Sequence, residues 1–229
     1  MPLIWRVTQK SSFRTFEFGD VFSRFVISDR RASPWWMMDN PIAASFSPLI
    51  GLPCWGGKKG QGSMFTLEFG EPHLLVREPI VSASDSAAIR ARMARRNVNL
   101  IGTWTLSIES CCWQVLSHEE AMANEGSGDE KIISAVRELD GQKLVGVALD
   151  TLQHKTNFYF DLGGTLTSSP YENETQWLLY MPEHRVLIYR ADGCFSLGGQ
   201  TLKPEEELWQ SLPQAPLLIQ IGSVGTPLP

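Results

Sequence analysis

Apolar and polar residues alternate with period two through much of this chain, the signature of strands with one face buried and one wet. The clearest such run is Val98–Glu109. Val98, Leu100, Trp104, Leu106 and Ile108 fall on one face, and Asn99, Thr103, Thr105, Ser107 and Glu109 on the other. The interruption at Ile101-Gly102 predicts a bulge in one continuous strand. Beyond Lys155 the pattern predicts a meander. Phe158–Leu162 turns through Gly163-Gly164 into Thr165–Ser168, Gln176–Tyr180 meets Arg185–Arg190 across Pro182-Glu183-His184, and Asp192-Gly193 leads into Cys194–Leu197. Paired glycines and Asp-Gly supply the backbone freedom that tight hairpins need. Pro216–Ile221 is strand-sized as well.

Helical spacing is scarce. Ser86–Arg96 is rich in helix formers with Asp85 placed to cap it. Asp129–Leu139 sets Ile132, Ile133, Val136 and Leu139 on one predicted face. Lys203–Trp209 opens with a proline and three acids suited to a first helical turn. Ser117-His118-Glu119-Glu120 has the form of a capping box.

The expected fold is therefore mainly β, of the α+β kind, with antiparallel sheets in a sandwich and about three short helices. The polar connector Asn124–Asp129 marks an internal boundary. It divides an N-terminal β-unit, 1–123, carrying the Arg-rich helix as an insertion, from a C-terminal meander unit, 130–229; one continuous domain is the alternative. Phe65–Gly70 aligns with Phe158–Gly163, and Trp104–Ile108 with Trp177–Met181, as two copies of a unit would. A third echo lies at Thr15–Asp20, and chance similarity of strand ends explains the same pattern.

Composition narrows the class. The 229 residues are 43% hydrophobic and 20% charged, too apolar for a disordered chain. Twenty Lys+Arg against 25 Asp+Glu give a net charge of −5, which argues against nucleic acid as the main partner. No run approaches the roughly 18 apolar residues that cross a bilayer. The start, Met1–Val7, has no signal-peptide pattern. Cys54, Cys111, Cys112 and Cys194 form no C-x-x-C pair, and reduced, buried thiols are the expectation, with Cys54–Cys194 as the one disulfide considered. These features predict a cytoplasmic protein without membrane attachment.

Motifs that suggest chemistry fall short of it. Phe160-Asp161-Leu162-Gly163-Gly164-Thr165-Leu166 resembles the aspartate loop of haloacid-dehalogenase-type phosphatases and the D-x-G-G-T of actin-like sugar kinases. In the phosphatases Asp161 would be the nucleophile, but Gly163 stands where the second, acid/base aspartate belongs. A hairpin turn is the reading adopted. Trp55–Ser63 is glycine-rich and basic, able in principle to cradle a phosphate, yet it lacks Gly-Lys-Ser/Thr and leads into a strand, so it reads as a loop. His73, His118, His154 and His184 lack ligand spacing. No catalytic residue, cofactor or metal is predicted.

Binding surfaces are the remaining candidates. Ser33–Pro41 brackets Trp35, Trp36, Met37 and Met38 between prolines, and large apolar side chains in a loop suit a partner or ligand, or a plug at one end of the β-core. Trp55, Lys58 and Lys59 of the glycine-rich segment, and Arg92 and Arg96 of the Arg-rich helix, complete the candidate set. The arginines could receive an acidic partner or RNA, and a solvated helix face paired with neighbouring acids is the reading adopted.

Several segments are similar to a family of uncharacterised bacterial proteins: Gly51–Gly56, Glu68–Pro72, Arg77–Pro79, Gly102–Leu106 with Cys111–Trp113, Pro170-Tyr171, Gln176–Tyr180 and Tyr189–Gly193. The resemblance implies a bacterial origin and carries no activity or site residues. The function expected is a non-catalytic protein that engages another protein, an immunity-type inhibitor being one form of it. The alternatives are a small-molecule-binding β-fold and a hydrolase whose site is assembled from distant strands.

Overall fold

The computed structural model describes residues 40–212 and 218–222. Two antiparallel sheets face each other over one hydrophobic core, and three short helices accompany them. The chain enters through α1 (Pro41–Phe46) and a 3-10 turn (Ser47–Leu49), followed by β1 (Cys54–Lys59), β2 (Phe65–Phe69), β3 (His73–Arg77), α2 (Ala87–Met93), β4 (Asn97–Ile101) and β5 (Trp104–Ile108). Next come β6 (Cys112–Ser117), β7 (Glu120–Asn124), α3 (Asp129–Glu138) and β8 (Leu144–Asp150). The meander is β9 (Lys155–Phe160), β10 (Gly164–Ser169), β11 (Thr175–Met181), β12 (Arg185–Arg190) and β13 (Cys194–Gly199). A 3-10 turn (Pro204–Glu206) precedes β14 (Trp209–Ser211) and β15 (Leu218–Gly222).

One sheet runs β1-β2-β5-β11-β12-β13-β14 and the other β15-β8-β9-β10-β6-β7. Strands from both sides of Asn124–Asp129 share each sheet, and the connector itself is the tight link from β7 to α3. The four segments aligned above take different places: β2 and β5 are neighbours, whereas β9 and β11 belong to opposite sheets.

Alternation builds the core. Leu67 and Phe69 of β2, Leu106 and Ile108 of β5, and Trp177 and Leu179 of β11 point inward from one sheet, and Phe158, Phe160 and Leu166 from the other. Aromatic edges join the layers: Phe65 meets Trp113 at 4.9 Å and 77°, and Phe158 meets Trp177 at 6.2 Å and 83°. Phe46 of α1 lies within 5.8 Å of Phe158 and 5.4 Å of Trp177, filling one end of the layer. The buried indole of Trp177 still needs a partner for its N–H. It donates to Thr156 Oγ1 on the facing sheet at 3.1 Å.

α3 packs against β1, β6 and β7. Gly57 makes that approach possible, since a Cβ there would stand 2.4 Å from Val136 Cγ1. Lys59 Nζ pairs with Asp129 at 3.0 Å, and Gly57 N–H donates to Asp140 at 3.2 Å, tying both ends of the helix to β1.

Local expectations hold in several hairpins and change in others. Gly163 supplies a φ of +88° between β9 and β10, and Asp161 Oδ1 accepts from Lys143 N–H at 2.7 Å, so this segment is a turn tied to the neighbouring strand. Six readings are corrected. Val98–Glu109 is two strands, because the chain leaves the small β3–β4 sheet at Gly102-Thr103 to enter the large one. Trp55–Lys59 belongs to β1, paired with β2 around a bulge, instead of to a loop. Ser117–Glu120 is the β6–β7 turn, with His118 and Glu119 at φ of 47° and 69°, instead of a helix cap. Lys203–Trp209 makes a single 3-10 turn and then β14, since exposed Leu208 gives it no apolar face to dock. In the helices, Ser86 in place of Asp85 caps α2, accepting from Ile89 N–H at 3.4 Å, and Ile133 points outward while Ile132, Ala135 and Val136 are buried.

Candidate interaction surface

Residues 73–101 leave the sandwich as an arm. β2 and β5 are direct antiparallel neighbours, with Phe69 opposite Trp104, so everything between them is an excursion from what would otherwise be a hairpin. The arm consists of the two-stranded β3–β4 sheet and α2. Pro72 and Pro79 flank β3, consistent with a strand that ends early and stays at an edge.

The register of this small sheet defines its faces. Leu74 lies opposite Leu100 and Val76 opposite Val98, so these four side chains form one ladder. They are 65%, 48%, 47% and 51% exposed in that order. Ile80, Val81, Ile89 and Met93 add further exposed apolar surface on the same arm. Elsewhere among the described residues, large exposed apolar side chains are scattered over α3, β11 and separate turns, as is ordinary for a protein surface. No arm side chain joins the hydrophobic core.

The arm is nevertheless held in shape. Arg96 grips Glu78 through a bidentate contact of 2.7 to 3.1 Å, and Ile80 N–H donates to Met93 O at 2.9 Å. Arg90 Nη1 donates to the carbonyls of Ser84 and Asp85 at 2.7 and 2.8 Å. Arg92 and Arg95 have no acceptor among the described residues, and their guanidinium groups reach solvent.

Four contacts root the arm. The buried Glu68 carboxylate accepts from Gly102 N–H at 3.0 Å and from Thr105 Oγ1 at 2.6 Å. Lys58 Nζ donates to Leu100 O at 2.8 Å, and Trp55 Nε1 donates to Gly70 O at 3.0 Å. Thus Trp55 and Lys58, candidates from the sequence, serve the arm from below, and Lys59 anchors α3. Arg92 is exposed on the arm and Arg96 braces it. Trp35, Trp36 and Met37 lie outside the described residues. The apolar ladder was missed because Val98 and Leu100 alternate as core residues do; the prolines bracketing His73–Arg77 were the available signal.

Other places offer less. Among the described residues no group of three or more His, Cys, Asp or Glu is arranged to hold a metal ion. The depression on α3 lined by Glu130, Ile133, Ser134, Arg137 and Glu138 is open and shallow. Burial, reinforced by Asp140 and Glu68, pushes the Cys54 thiol far above its usual range. Burial, with Cys112 and Glu125 adding to it, pushes Cys111 up to about 12. All four cysteines are free, and Cys54 and Cys111 are unreactive protonated thiols. No described helix is long and apolar enough to cross a membrane. Comparison with protein-family models, with curated proteins and with solved structures finds no match.

Proposed function

We propose that this chain is a non-catalytic protein-binding module that docks its partner on the β3–β4 arm. The observation that supports the reading is the Leu74/Leu100 and Val76/Val98 ladder, two cross-strand apolar pairs held open to solvent by a braced two-stranded sheet. An isolated two-stranded ribbon is marginal by itself, and a contiguous apolar patch on it is the usual mark of an interaction surface. A cytosolic setting in a bacterium belongs to the same proposal; four free thiols suit a reducing compartment. Toxin inhibition would be a narrower form of it. The arm's positive charge makes a basic nuclease a poor fit for this particular surface.

Site-specific photocrosslinking in the native cell tests the reading. A photoreactive phenylalanine analogue at Val98 should yield one discrete heavier species, and the same analogue at exposed Leu152, outside the arm, should yield none. Equal crosslinking at both positions, or none at Val98, would overturn it.

A further inference from the structure

Resting on that reading, we infer that the occupant of the arm is an acidic protein surface: an apolar centre, matching the Leu/Val ladder, rimmed by aspartates and glutamates. Charge separates the candidates. The arm holds Arg77, Arg90, Arg92, Arg95 and Arg96 against Glu78 and Asp85, a net of +3 in a chain whose total is −5. Residues 1–39 hold six Lys/Arg and four Asp/Glu, so the chain's own N-terminal segment brings like charge to the arm.

A second copy fits less well. Pairing two arms brings together two segments of net charge +3, a like-charge juxtaposition that costs binding. The remainder of the chain, with nine basic and nineteen acidic residues, has the complementary sign. Among its described residues the exposed large apolar side chains come from α3, β11 and separate turns, and they offer the ladder no cross-strand apolar pair. Nucleic acid fits less well again: the arm carries no Phe, Tyr or Trp on which a base could stack. Arg77, Arg92 and Arg95, without an acceptor among the described residues, are donors open to carboxylates across the contact.

The test is selection of a random twelve-residue peptide library on the full chain, followed by affinity measurement of the enriched peptides. The expected sequences carry apolar anchors flanked by Asp or Glu. Their affinity should fall at least about tenfold with Leu74→Asp/Leu100→Asp. It should fall about tenfold with Arg92→Glu/Arg95→Glu at low salt, and by less at high salt. Thermal unfolding reports whether the sandwich is folded, and amide hydrogen exchange over 73–101 whether the hairpin is; should the aspartates unseat the hairpin, Leu74→Ser/Leu100→Ser replaces them with the same expectation.

Peptides that bind intact chain and ladder variant alike would overturn both the docking reading and this inference. Peptides that need the ladder but are neutral or basic, and ignore the arginine reversals, would overturn the acidic partner alone. No enrichment over a blank surface counts against both. Sedimentation of the full chain should give a monomer; a dimer that the ladder variant dissolves would assign the arm to a second copy instead.

Discussion

Deleting residues 72–101 would join Glu71 to Gly102 and leave β2 and β5 connected through Gly70, Glu71, Gly102 and Thr103. Phe69 and Trp104 are already paired, and Thr103 Oγ1 donates to Glu71 O at 3.3 Å, so the four-residue loop spans a gap that is closed in the intact chain. Shortening the connection from 34 residues (70–103) to four lowers the loop-closure cost by about 2 kcal/mol. Against this, re-forming the turn risks the Gly102 N–H bond to Glu68, which as a hydrogen bond to a charged group contributes about 1.5–3 kcal/mol. The Lys58 bond to Leu100 O is exposed and adds little. No core side chain is removed. The two main effects nearly offset, leaving about 1 kcal/mol of either sign, or about 2–4 °C in Tm for a protein of this size. Differential scanning fluorimetry of the purified shortened chain, with circular dichroism to confirm β content, measures it. Loss of more than about 10 °C, or failure to fold, would mean that the arm carries part of the sandwich's stability, since that magnitude belongs to core lesions.

Four other outcomes follow from the same structure. Trp177→Ala should cost about 3–5 kcal/mol in denaturant unfolding, because it empties the contact with Phe46, Phe158 and Tyr189 and leaves Thr156 without its indole donor. Gly57→Ala should destabilise by about 1–3 kcal/mol through overpacking on Val136, and a double-mutant cycle with Val136→Ala should show that the two costs do not add. A thiol reagent at neutral pH should label Cys112 and Cys194 in the native protein, and Cys54 and Cys111 only after denaturation. Stability should decline on the alkaline side: once pH passes the unfolded thiol value of about 9, the unfolded chain sheds protons that Cys54 and Cys111 keep when folded. Each thiol then removes about 1.4 kcal/mol per pH unit until its folded value is reached, about 12 for Cys111, and Cys111→Ala should flatten that limb of a Tm-against-pH curve.

Turn chemistry made the meander legible. Gly163-Gly164 and Asp192-Gly193 announce hairpins because few other residues tolerate the required backbone, and the alternation between them predicts the sandwich faces that form. The β6–β7 turn was hidden for the converse reason: His118 and Glu119 occupy left-handed backbone without the residues that usually signal it. α1 was missed because six residues provide barely one apolar repeat, Ile42 with Phe46, and the helix is held by burial against Phe158 and Trp177 instead of by its own periodicity. The arm illustrates the larger limit. Period-two patterning assigns Val98 and Leu100 to one face of a strand, but says nothing about whether a second layer covers that face. Chemistry was likewise readable only as far as local geometry decides it. Asp161 looked like a nucleophile by motif, and its carboxylate accepts the backbone N–H of Lys143 at a hairpin end.

Docking through the arm is decided by comparing what the intact and arm-deleted chains retain from the same native lysate at equal load. The folded, arm-deleted chain should lose the acidic protein that crosslinks at Val98 in the intact one. Retention of that protein in undiminished amount, by a chain lacking residues 72–101, would contradict it.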